Sequence, residues 1–110
     1  MITVTKKLSF NSNLMISRLI IILEKVRDKV SDESDVVWAG YDTAKELREE
    51  IQLYINELSV GNLQSLKAID RHFAPTSTLQ EHSISNGWSD EYLRLAEKFD
   101  AIYSSLKNHS

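Results

Sequence analysis

The chain has 110 residues, a formal net charge of -3 and no cysteine. This length fits one domain, here 1–110, that buries a core without covalent cross-links. The lack of cysteine excludes disulfides, thiolate metal sites and cysteine nucleophiles. The negative charge disfavours a general nucleic-acid binder, because that affinity comes mostly from Lys and Arg on phosphates. The amino end has no signal-peptide pattern, so we expect a cytoplasmic protein.

Apolar residues recur at spacings of three and four through most of the chain, and glycine and proline are scarce. This pattern is typical of amphipathic helices. The sequence predicts an all-α, single-domain helical bundle with three long helices, one shorter helix and a short helical turn. Residues 1–10 alternate apolar and polar side chains, which favours an extended arm or a strand. That segment could lie along the bundle or pair with a second copy.

The first two predicted helices span 12–31 and 35–59 and are joined by a short acidic link. In the second, the apolar stripe begins at Trp38 and continues in phase across Gly40. This continuity favours the long helix, although glycine costs ~1 kcal/mol in a helix interior. A shorter helix capped by Asp42 is the alternative.

The second half of the chain has two predicted helices, at 62–73 and 89–107, with a polar connector at 74–88 between them. A short helical turn is predicted within the connector at 78–84. Connectors of this length are unusual in small bundles, and long ordered loops often carry function. The candidate recognition residues at or near this loop are His72, Gln80, His82, Asn86 and Trp88.

The strongest interaction signal is a run of five large apolar residues in the first helix. At 3.6 residues per turn the run covers the full circumference, so no side of this turn is polar. The turn must be enclosed by its own bundle or covered by another chain, and we favour the second. The run is far shorter than the ~20 residues that cross a bilayer, so no membrane is expected as a partner. The predicted interface residues are Leu19, Ile20, Ile21, Ile22 and Leu23.

Four carboxylates follow one face of the second predicted helix: Asp42, Glu46, Glu49 and Glu50. Metal sites in bundles usually combine inward-facing Glu with Glu-x-x-His motifs, and this sequence has none. It also lacks a glycine-rich phosphate loop, a nucleophile elbow and a zinc-protease motif. We interpret the four residues as an acidic docking face. We predict no catalytic residue, no metal and no cofactor.

Residues 66–84 resemble a helix-turn-helix: a helix, a short break, and a Ser/Thr-rich start to a second short helix. The segment departs from that family at Asp70, where a small residue is usual, and at Ala74, which replaces the turn glycine. A DNA-binding regulator that uses this segment is the first alternative function. The second is a metal or small-ligand site around His72 and His82.

The function that the sequence favours is a small acidic, non-catalytic protein-interaction module of a regulatory, adaptor or immunity type. We expect it to form a homodimer and to bind another protein. Nucleic acid is not expected as a partner, because the would-be recognition helix has neither Lys nor Arg.

Overall fold

The computed structural model describes residues 10–75 and 77–108 and shows five α-helices and no strand within them. The all-α class is therefore confirmed for this part of the chain. The predicted arm falls on residues 1–9, outside the described residues, and on Phe10, which begins the first helix. The helices are α1 (Phe10–Lys29), α2 (Ala44–Ser59), α3 (Leu66–His72), α4 (Thr78–Asn86) and α5 (Ser89–Asn108).

Helix α1 packs against both α2 and α5, and α4 packs against α3 and α5. The end of α1 lies beside the start of α5, where Lys29 Nζ is 2.8 Å from a carboxylate oxygen of Glu91. The end of α1 also lies beside the first half of α2, because Arg48 Nη1 donates to Val30 O at 2.8 Å. Both neighbours thus run antiparallel to α1. The apolar residues at spacings of three and four form the inner face of α1 and continue one residue beyond it, and all are buried: Ile16, Leu19, Leu23, Val26 and Val30.

Helix α2 begins at Ala44, so the predicted helix at 35–59 is wrong at its amino end. A capping box starts the helix: Glu46 N donates to Thr43 Oγ1 at 3.2 Å, and Thr43 N donates to Glu46 Oε1 at 3.1 Å. The shorter alternative is closer to the structure, but the cap is Thr43 and not Asp42. Local hydrogen bonding overrides the apolar periodicity here.

The residues before α2 form tight turns instead of helix. Ala39 N donates to Val36 O at 3.1 Å, and Gly40 N donates to Val37 O at 3.2 Å. Gly40 has φ +87°, in the left-handed region that favours glycine and interrupts a helix. Val36 and Ala39 are buried, whereas Trp38, predicted to face the core, is exposed.

The other helix ends follow local signals. Gly61 has φ +78°, and its N–H and that of Asn62 bond to carbonyls of the last turn of α2, which is typical of a helix that ends at glycine. Helix α3 is shorter than the predicted 62–73, because Asn62 Oδ1 accepts from Gln64 N at 3.0 Å and caps a turn that precedes the helix. Helix α4 extends beyond the predicted 78–84, and α5 begins where predicted.

Aromatic stacking joins the end of α3 to α5. The rings of Phe73 and Phe99 lie 4.4 Å apart between centroids, and Tyr103 stacks on Phe99 at 5.5 Å. Tyr92 OH donates to Phe73 O at 3.1 Å, which satisfies both polar groups in the interior. These contacts hold the end of α3 against α5.

Candidate functional site

The apolar run of α1 divides between the core and the surface. Leu19, Ile22 and Leu23 are buried, and Ile20 is half-buried against the core. Ile21 is 50% exposed. The bundle itself therefore encloses most of this run, and Ile21 is the member most open to another chain.

Ile21 lines a groove of about 430 Å³ between α1 and α5, which we call the α1/α5 groove. Three cations line it as well, and none of them forms an ion pair with a carboxylate in the described part of the chain: Arg18, Lys25 and Lys98. The remaining lining is apolar and consists of Ile21, Ile22, Leu95, Ala101 and Ile102. The groove thus combines an apolar strip with positive charge, and no carboxylate is among its lining residues.

The predicted acidic docking face is partly used for contacts within the chain. Glu46 closes the capping box of α2, and Glu49 lies 3.9 Å from Lys45. Glu50 is turned into a hydrogen-bond network, whereas Asp42 is exposed. Only part of this face is open to a partner.

The Glu50 carboxylate joins three parts of the chain. Tyr41 OH donates to Oε1 at 2.8 Å, Tyr54 OH donates to Oε2 at 2.5 Å, and His72 Nε2 lies 2.6 Å from Oε2. Burial acts to raise the pKa of Glu50, but the hydrogen bonds from Tyr54, Tyr41 and His72 together lower it. Burial and the bond to this carboxylate raise the pKa of both tyrosines. The network ties α3 and the connector before α2 to α2.

The two predicted histidines have separate partners. His72 belongs to the Glu50 network, whereas His82 is fully buried and its Nδ1 accepts from Trp88 Nε1 at 3.1 Å. Because an indole N–H only donates, this contact requires a neutral imidazole. Burial lowers the pKa of His82, against the opposing charge of Asp35. Within residues 10–75 and 77–108, no group of three His, Cys, Asp or Glu side chains is placed to hold a metal ion.

Asn86 connects the end of α4 to the connector before α2. Its Oδ1 accepts from Asp35 N at 2.8 Å, and its Nδ2 donates to Asp35 O at 2.8 Å and to His82 O at 2.8 Å. The side-chain amide thus pairs with both backbone groups of Asp35. Among the predicted recognition residues, Asn86 therefore serves an internal contact, as His82 and Trp88 do, and Gln80 is half-buried.

The segment that resembles a helix-turn-helix does bring α3 and α4 into contact. In α4, however, His82 and Ser83 are buried, and the exposed side chains of its second half are those of Ile84 and Ser85. Neither side chain carries the positive charge that supplies most of the affinity for phosphates. DNA binding stays a prediction that no described contact supports.

Sequence reasoning missed one surface, which we call the Trp38 turn and define as residues 35–42. Val37 and Trp38 are 74% and 72% exposed, whereas their neighbours Val36 and Ala39 are buried. Two signals could have revealed it: the glycine at position 40, and the composition of residues 31–44, which hold four carboxylates and no Lys or Arg. Two adjacent apolar residues in an acidic segment without helix are typical of a turn that exposes them to a partner, and not of a helix face.

Comparison with known proteins adds no family: no protein-family model matches the chain, and neither a curated protein nor a solved structure matches it. Within the described residues, no helix combines the length and apolar character that crossing a membrane requires. Functional inference for this chain therefore depends on its surface chemistry, and the α1/α5 groove and the Trp38 turn are its two most distinctive surfaces.

Proposed function

We propose that this chain is a non-catalytic protein-interaction module that binds through the α1/α5 groove and self-associates. The observation that carries the proposal is an apolar groove lined by three cations without ion-pair partners in the described part of the chain. Apolar anchors that are enclosed by a polar rim are typical of protein interfaces. A module of this kind acts as a regulatory, adaptor or immunity-type protein by occupying a surface of its partner.

The lining of the groove specifies the chemistry of the partner. An apolar side chain suits the strip that contains Ile21 and Ile102, and carboxylates around it suit Arg18, Lys25 and Lys98. Attraction between opposite charges speeds association and selects against wrong partners, and salt weakens this attraction. The groove collects this positive charge in a chain whose net charge is -3, so it stands out from the rest of the surface.

Selection of short peptides on the folded full chain tests the proposal. We expect enriched peptides to combine an apolar anchor with Asp or Glu and to bind less tightly as salt increases. They should lose binding to an Ile21→Glu, Lys98→Glu variant, because both changes put negative charge in the groove. Leu53→Glu, Lys67→Glu is the matched control, since it changes an exposed leucine and an exposed lysine on α2 and α3.

Two results would contradict the groove as a binding surface. One is enrichment of peptides without acidic residues. The other is equal binding of the selected peptides to the wild-type chain and to the groove variant, provided that circular dichroism shows both to be folded.

A further inference from the structure

We propose that the α1/α5 groove of one protomer is filled by the Trp38 turn of a second copy, and that two such contacts about a two-fold axis form the homodimer. The inference rests on the proposed function of the groove and names its occupant. It differs from a dimer made by the whole apolar run of α1, because Leu19, Ile22 and Leu23 are buried within one protomer.

The Trp38 turn exposes the kind of side chains that interfaces bury. Val37 and Trp38 are adjacent and are 74% and 72% exposed. Tryptophan is highly buried on average and is enriched among the residues that dominate binding energy. A neighbouring pair of exposed apolar side chains on one turn therefore indicates a contact surface.

The turn is held in place from both sides, so its apolar pair is presented by ordered backbone. Val36 and Ala39 anchor it in the core, and the Asn86 amide pairs with the backbone of Asp35 at 2.8 Å on each side. On the other side, Tyr41 OH donates to Glu50 at 2.8 Å. Preordering of this kind reduces the entropy lost on binding. The internal contacts of Asn86 and Glu50 thus acquire a role in presenting the turn.

The charges of the two surfaces are complementary. Residues 31–44 carry four carboxylates and no Lys or Arg. Asp32 pairs with Arg48 at 2.7 Å, which leaves Glu33, Asp35 and Asp42 exposed without an ion pair in the described part of the chain. The groove has the opposite composition, three cations and no carboxylate. Placing two grooves face to face would instead oppose like charges, which costs binding free energy.

Reciprocal pairing follows from the small size of one contact. A stable interface buries about 800 Å² on each partner, more than one turn in a groove of this size supplies. Two equivalent contacts double the buried area, and a two-fold axis closes the assembly at two copies. Each protomer then gives its Trp38 turn to the groove of the other.

Sedimentation equilibrium of the full chain over a range of concentrations tests the pairing. The wild-type chain should dimerise, and added salt should weaken the dimer. Trp38→Ala and Ile21→Glu each alter both contacts of the symmetric dimer, so each should raise the dimer dissociation constant by about 1,000-fold, the equivalent of losing one hot spot at each contact. Leu53→Glu is the matched control for Ile21→Glu, since Leu53 is 54% exposed on α2, and it should leave the dissociation constant unchanged.

Mixing the two disrupted chains tests which surfaces meet. Trp38→Ala keeps an intact groove and Ile21→Glu keeps an intact turn, so the mixture restores one of the two contacts. With one chain fluorescently labelled, the mixed dimer should have a lower dissociation constant than the dimer of either variant alone, and a higher one than the wild-type dimer, which has both contacts. Lys98→Glu replaces Ile21→Glu as the groove variant if the latter does not fold by circular dichroism.

A wild-type chain that stays monomeric would overturn the pairing, as would a Trp38→Ala chain that dimerises like wild type or a mixture that associates no more tightly than either variant alone. Peptide selection separates this failure from failure of the groove itself. If the pairing fails but acidic apolar peptides still bind the groove, the groove serves a different protein. If both fail, the proposed function is wrong as well.

Discussion

The two tryptophans of this chain occupy similar local sequences and opposite environments. Trp38 lies before Gly40 and Trp88 follows Gly87, and both glycines have positive φ. Trp88 is 6% exposed and donates to His82 between α4 and α5, whereas Trp38 is 72% exposed on the connector before α2. An aromatic residue near a turn glycine can therefore either pack into the core or be exposed to a partner. Neighbouring elements decide which, because Trp88 has a buried acceptor for its N–H.

Alanine substitution should change the free energy of unfolding very differently at the two tryptophans. Trp88→Ala removes a buried ring and should lower the free energy of unfolding by about 3–5 kcal/mol. Trp38→Ala removes an exposed ring and should change it by no more than about 0.5 kcal/mol. Urea denaturation followed by circular dichroism, at concentrations where the chain is monomeric, measures both. Equal losses for the two variants would contradict the assigned environments.

The next effect concerns Asn86, where the end of α4 meets the connector before α2. Asn86→Ala removes two hydrogen bonds to Asp35 and one to the carbonyl of His82. At ~1 kcal/mol for each bond, we expect a loss of roughly 2–3 kcal/mol in the free energy of unfolding. Amide exchange should also accelerate at Val37 more than in α1, because the turn loses its clamp. Ser85→Ala, an exposed neighbour, is the control and should show neither change.

Acid should destabilise the fold through His82, which accepts the hydrogen bond from Trp88. Burial lowers the pKa of His82 below its ordinary value of 6.5, so at acidic pH the unfolded chain binds a proton that the folded chain excludes. The stability is fully present above pH 6.5 and falls as pH drops towards the folded pKa, by at most ~1.4 kcal/mol per pH unit. His82→Gln keeps an acceptor for Trp88 and should flatten this part of the profile. Parallel pH profiles of urea midpoints for the two chains would rule the explanation out.

Sequence periodicity predicted the helices that the core determines. The buried positions of α1, from Ile16 to Val26, and the start of α5 at Ser89 agree with the structure because one face of each helix is enclosed by several elements. The start of α2 was missed, since the capping box of Thr43 and the left-handed Gly40 act locally against an apolar pattern that continues in phase. Gly40, close to the candidate cap Asp42, is the sequence signal that favours the shorter helix.

The candidate site was less predictable, because its contacts join residues that are far apart in sequence. Glu50 was grouped with Glu46 and Glu49 by helical spacing, yet it binds His72 of α3. Asn86 is among the predicted recognition residues, and its partner is Asp35 on the connector before α2. Spacing within one helix carries no information about such pairs. The three cations of the α1/α5 groove lie on two different helices, so only the packing of these helices brings them together.

The smallest effect is spectroscopic and follows Trp38 alone. In a Trp88→Phe chain, the fluorescence of Trp38 should be accessible to acrylamide at low concentration. As concentration rises, its emission should move to shorter wavelength and its quenching should fall, because the ring enters the groove of a second copy. Adding Ile21→Glu should keep Trp38 accessible throughout, and a Trp38→Phe chain should report a protected Trp88 at every concentration. If Trp38 stays accessible while the chain dimerises, another surface forms the contact, and exposure of this ring has a different purpose.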